Sequence, residues 1–198
     1  MVALADLRPA DLFANPPGTW YTKYLCQLQG SKTFHWGLWV DPPNNIITEA
    51  IGKGSTVDIF PYAESYIYRI KAAQNITEQD ILNAIAQFGR SGYSFSDDLQ
   101  TAWAFILDYW LPLYPNEGPP VPSFLPGWTS SWGTPVDYSF SKPFNAPLNC
   151  MEYAVSICQL LGYQILPPGE IVVEKNLENS PLLDYLGVLQ VPQGTPGY

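Results

Sequence analysis

The chain predicts an α+β fold in which an antiparallel sheet packs against a helix that carries a cysteine on its first turn. Three observations predict it. Residues 33–40 and 46–51 are rich in aromatic and β-branched side chains, as half-buried antiparallel strands require. Asp41-Pro42-Pro43-Asn44-Asn45 between them is a turn sequence, so the two runs form a hairpin. Residues 149–162 read as a helix, with Asn149 as N-cap and Gly162 as C-terminal stop.

The remaining elements follow in chain order. Residues 7–13 are a turn leading into a strand, which Asn15-Pro16-Pro17-Gly18 breaks. Residues 19–28 form a short helix at the mouth of a cleft, where Trp20 and Tyr21 are packing aromatics or substrate contacts. After the hairpin, residues 55–60 and 66–70 alternate as two further strands. Thr77 with Asp80 three positions on opens a helix that runs through Ile81, Ile85 and Phe88 to Gly89. Ser96-Asp97-Asp98 opens a second helix to Trp110, apolar on nearly all sides. Residues 111–147 are a Pro/Trp-rich insertion without a regular period. Such a loop either covers a cleft and selects substrate, or is a packing or oligomer-contact segment and a contact surface for a protein partner. Residues 171–173 are strand-like, and residues 182–189 are a short helix or a closing strand. The sum is one domain over residues 1–198 with a sheet of about five strands.

Composition narrows the function. With 46% hydrophobic and 14% charged residues the chain can bury one sizeable core. A net charge of −9 without a Lys/Arg cluster makes nucleic acid and anionic membrane surfaces poor partners. No apolar run approaches the roughly 18 residues of a membrane span, and Met1-Val2-Ala3-Leu4-Ala5-Asp6 lacks signal-peptide character. The expected location is the cytoplasm, or outside it by a route without a cleaved signal. Three cysteines without paired spacing argue against a disulfide framework, and a single histidine against a histidine-rich metal centre. No metal or cofactor is expected.

Position separates the three cysteines. Cys150 stands at the first helical position, where the helix dipole and the unpaired N–H groups favour thiolate, the nucleophilic form. Cys158 has apolar neighbours at helical spacing, the setting of an inert core thiol, and Cys26 sits in a short apolar segment. His35, on the strand of residues 33–40, is the one imidazole able to serve as base.

The order Arg8-Pro9-Ala10-Asp11-Leu12-Phe13, Phe34-His35-Trp36-Gly37-Leu38-Trp39-Val40, Ile46-Ile47-Thr48-Glu49-Ala50, Gly89-Arg90-Ser91-Gly92-Tyr93 and Asn149-Cys150-Met151-Glu152-Tyr153-Ala154-Val155 resembles a known family. It is similar to the circularly permuted branch of the NlpC/P60 papain-like cysteine peptidase superfamily, the YiiX/YebB-like and lecithin:retinol acyltransferase-like proteins. There the histidine strand precedes the cysteine helix, as here. The likeness spans about Leu7 to Gly162. It departs at Ala10, where the family has glycine, at Phe34, where a small residue is common, and in an expanded segment between Tyr93 and Asn149.

The resemblance implies a permuted papain-like fold with Cys150 as nucleophile, His35 as base and Glu49 as the partner that orients the imidazole. The chemistry of carbonyl attack asks for the same three groups. A hairpin register pairing Val40 with Ile46 sets Gly37 opposite Glu49 and puts His35 and Glu49 on one face; a slip of one residue substitutes Thr48 or Ala50. Asp58 is a rival for the third position if its strand lies beside His35. The backbone N–H of Cys150 is the expected oxyanion donor, with Tyr21 a second candidate. The implied activity is amide hydrolysis through an acyl-enzyme on a peptide or peptidoglycan fragment. Such an enzyme would suit an effector delivered into a rival cell, or a housekeeping peptidase. Acyl transfer or lipid ester hydrolysis is the alternative within enzymology, and a non-catalytic binding module on the same fold the alternative outside it.

Overall fold

A computed structural model describes residues 1–51, 54–88, 149–168 and 172–191. The expected helix ending at Trp110, the motif at 89–93 and the Pro/Trp-rich segment at 111–147 lie outside the described residues.

The described chain is α+β. Strand β1 (Leu12–Asn15) is followed by helix α1 (Trp20–Gln29), the hairpin β2 (His35–Asp41) and β3 (Ile46–Ile51), then β4 (Gly54–Ile59) and β5 (Glu64–Ile70). Helix α2 (Glu78–Phe88) comes next, and after the undescribed segment come α3 (Cys150–Leu160), α4 (Glu174–Glu178) and β6 (Leu183–Gln190). The strands form one six-stranded sheet in the order β4-β3-β2-β1-β5-β6, with every neighbouring pair antiparallel.

Strand β6 is the strand beyond the five expected. Residues 182–189 had allowed a helix; pairing with β5 from Glu64↔Gln190 to Ile70↔Leu183 makes them a closing strand. The strand-like reading of 171–173 is corrected for its described part. Val172 and Val173 belong to no strand, and Val173 is the N-cap of α4. Val173 is fully buried in extended backbone, so its β-branched side chain served packing without joining a ladder.

Period-2 alternation sorts the sheet into two cores. On one face Leu12, Ala14, Trp36, Leu38 and Val40 pack with Ile81 of α2 and with Met151, Ala154, Val155 and Cys158 of α3. On the other, Phe13, Trp39, Ile47, Phe60, Ile67 and Leu189 enclose a second cluster with Val2 and Leu7. Because β1 is covered on both sides, all four of its residues are buried. The ring of Phe13 crosses β2 at Gly37, where a Cβ would sit 2.4 Å from the ring and 2.7 Å from the Thr48 carbonyl. Glycine is therefore required there by close approach rather than by a turn.

The hairpin register differs from the expected one at its end and agrees with it in the middle. Asp41 pairs with Ile46, a bulge follows between Trp39 and Asp41, and Trp39↔Ile47, Leu38↔Thr48 and Gly37↔Glu49 continue. The bulge absorbs one residue at Val40, so the pair that matters for Glu49 is the one expected.

At the start of β1 the buried Asp11 carboxylate accepts from Arg69 Nε at 2.7 Å and from Nη2 at 2.6 Å. It also accepts the backbone N–H of Arg8 at 2.9 Å, so a charge 2% exposed has three donors. Ala10 beside it stands at φ 67, in the left-handed region that favours glycine. Among the described residues no helix is long and apolar enough to cross a membrane.

Candidate active site

Helix α3 starts as its cap residues dictate. Asn149 Oδ1 accepts the N–H of Glu152 at 2.8 Å, and Glu152 Oε2 accepts the N–H of Asn149 at 3.2 Å. This reciprocal box satisfies two terminal donors and is itself buried. Gly162 ends the helix in the left-handed region at φ 87, as its position in the sequence implied. The first turn is pinned to the sheet by Tyr153, whose hydroxyl donates to Thr48 Oγ1 at 2.6 Å while Thr48 donates to the Thr56 carbonyl at 2.8 Å. Burial pushes the Tyr153 hydroxyl up to about 12, so it stays a donor.

Cys150 is the first residue of this helix. Its thiol lies 3.8 Å from the carbonyl oxygen of Phe34, at the N-terminal end of β2 where His35 begins the strand. The residues expected to be nucleophile and base, far apart in sequence, are thus brought to one end of one strand. The body of α3 packs on the Trp36–Leu38–Val40 face, whereas strand alternation sends His35 to the opposite face with Phe13 and Tyr62, at ring separations of 6.3 and 5.8 Å. The body of the helix and the His35 ring therefore lie on opposite faces of the sheet.

Glu49 stands where the register placed it. Its Oε2 is 2.7 Å from His35 Nε2, with the carboxylate side chain 5% and the imidazole 18% exposed. An ionised carboxylate only accepts, so Nε2 carries the hydrogen of this bond and the basic nitrogen of the neutral ring is Nδ1. Tyr62 donates its hydroxyl to the same Glu49 oxygen at 2.7 Å. Burial, then the Glu49 bond and charge, and to a lesser degree the Cys150 sulfur all raise the pKa of that hydroxyl.

Tyr62 is a site residue that sequence reasoning missed. It lies in Phe60-Pro61-Tyr62-Ala63 between β4 and β5, and no spacing rule ties a loop tyrosine to a carboxylate thirteen residues earlier. Asp58 is excluded as the third residue. It is exposed on β4, which pairs with β3 and not with β2, and its carboxylate accepts the N–H of Ile59 at 2.8 Å. Tyr21 falls on α1, and its side chain lies outside the described residues.

All three cysteines are buried, but only Cys150 stands at a helix start. Cys158 is fully buried, and burial pushes its thiol up to about 12. Cys26 donates to the Thr33 carbonyl at 3.1 Å, and burial pushes it up to about 11. Both are thiols held protonated in the core. Among the described residues no cluster of three His, Cys, Asp or Glu side chains could hold a metal ion.

No protein-family model matches the chain, and no curated protein matches it.

Proposed function

We propose that this chain is a cysteine hydrolase of permuted papain-like fold, cleaving an amide bond through an acyl-enzyme on Cys150. The observation that carries the proposal is the meeting of a helix-start thiol with the strand end that bears His35. One ring nitrogen of that histidine, Nε2, is engaged by a buried carboxylate.

In the proposed reaction His35 Nδ1 takes the thiol proton, and the sulfur attacks the carbonyl carbon. The imidazolium then protonates the leaving amine as the C–N bond breaks. Water, deprotonated by the same nitrogen, attacks the thioester and releases the acid. Glu49 holds the ring and offsets the imidazolium charge throughout. A peptide or peptidoglycan amide is the favoured substrate by likeness to the permuted papain-like family, with an acyl ester the alternative.

The test is the rate of Cys150 alkylation by iodoacetamide as a function of pH, in wild type and His35→Ala, with the site assigned by mass spectrometry. A reactive phase well below the ordinary thiol range that disappears in His35→Ala supports the ion pair. Turnover of muropeptides against acyl esters then selects the substrate class. Cys150 is 2% exposed, the one observation that favours a binding module instead. A thiol that stays unreactive in the folded protein decides for that reading.

A further inference from the structure

Two amide side chains near the thiol are almost completely buried, yet each leaves a donor without an acceptor among the described residues. They are Asn15 Nδ2 and Asn149 Nδ2. A buried donor that has given up water without gaining a partner is unfavourable, so each one calls for a reason, a role in binding or catalysis among them. Asn15 is the Cα partner of His35 on β1, but its oxygen is paired with the Ser65 hydroxyl. A hydroxyl can give or take, so the Asn15 amide can turn over and leave an acceptor, not a donor, unpaired. Asn149 cannot. Its oxygen is bonded to an N–H, that of Glu152 at 2.8 Å, so the nitrogen is committed to being the unpaired donor. The residue is 0% exposed and immediately precedes Cys150. Phe34, whose carbonyl receives the thiol, is held in turn by its N–H to the Asn15 carbonyl at 2.9 Å.

We infer that Asn149 is a catalytic residue whose Nδ2 donates to the substrate carbonyl oxygen as it becomes an oxyanion; this rests on the hydrolase reading. When the Cys150 sulfur forms its bond to the carbonyl carbon, the C=O π pair moves onto oxygen. When that pair returns, the bond to the leaving amine or alcohol breaks, and the leaving group takes the proton held by His35. Nδ2 strengthens its bond to oxygen only between those two events, so its effect falls on the rate of acylation. The cap and the donor are opposite ends of one amide: Oδ1 holds the helix, Nδ2 serves the reaction.

The test compares wild type with Asn149→Ser and Asn149→Asp, both of which keep an N-cap oxygen and remove the amide donor. Acylation by p-nitrophenyl butyrate is followed alongside alkylation of Cys150 by iodoacetamide, which displaces iodide from a saturated carbon and forms no oxyanion. The expected result for Asn149→Ser is acylation slowed about 10²- to 10³-fold with alkylation within about twofold of wild type. Asn149→Asp slows acylation at least as far, and decides the matter if the serine variant does not fold. Undiminished acylation in either folded variant overturns the inference, as does an equal fall of both rates in Asn149→Ser, which would mark a cap and nothing more. A wild type that is alkylated at Cys150 but never acylated overturns the hydrolase reading and this inference together.

Discussion

The Tyr62 hydroxyl donates to Glu49 Oε2 at 2.7 Å, the same oxygen that lies 2.7 Å from His35 Nε2. One carboxylate oxygen thus gathers two donors, one from a strand and one from a loop. That sharing offsets the desolvation of a side chain only 5% exposed and holds it against rotation away from the imidazole.

Removing either end of this arrangement has separable effects. Tyr62→Phe deletes one donor and is expected to lower stability by about 1–2 kcal/mol and turnover by about 10-fold, since His35 still binds the carboxylate. Glu49→Gln keeps the shape but offers its ring partner an amide, and turnover should fall about 10²- to 10⁴-fold with little loss of fold. Urea denaturation and steady-state rates on one substrate measure both; equal effects from the two variants would contradict the ordering.

The three thiols should separate under mass-resolved alkylation. In the native protein Cys150 is expected to react first, while Cys26 and Cys158 wait for denaturant, because burial holds them at about 11 and about 12. Cys150→Ala should abolish turnover and leave the melting temperature nearly unchanged. Cys158→Ala should spare turnover and cost about 1–2 kcal/mol for the cavity left in the core.

Stability should decline on the alkaline side. Cys26, Cys158 and Tyr153 are acids whose folded pKa values are raised to about 11, about 12 and about 12, so above their ordinary values the unfolded chain has lost protons that the folded chain keeps. Fewer protons on the unfolded state make stability fall as pH rises. The contribution is fully present below about pH 9 and is lost progressively towards about pH 12. Urea midpoints between pH 7 and 11 should fall, and the fall should be shallower in Cys158→Ala.

Arg69 should matter out of proportion to its partly exposed position. Arg69→Met removes both side-chain donors to Asp11, leaving a carboxylate 2% exposed with only the Arg8 N–H. The expected loss is about 3–5 kcal/mol, read from urea denaturation, and restoring Asp11→Asn in the same chain should recover part of it by removing the stranded charge.

Local chemistry determined a good deal by itself. The alternation at 46–51 and 66–70, the turn Asp41-Pro42-Pro43-Asn44-Asn45, and the Asn149 cap and Gly162 stop each specify an element through interactions within a few residues. Such interactions can be read from spacing alone. Even the Gly37↔Glu49 pairing was legible, because a hairpin links its two strands by a short turn. What lay beyond that range was decided only by the tertiary structure. The closing strand β6, the Tyr62 bond to Glu49 and the approach of Cys150 to the Phe34 carbonyl join segments that no turn connects directly, and the bulge at Val40 shifts a register that no period constrains. Valine at 173 shows the same limit from the other side: its side chain asked for burial and extended backbone, and only the packing of the whole chain decided that it would cap a helix and not extend a sheet.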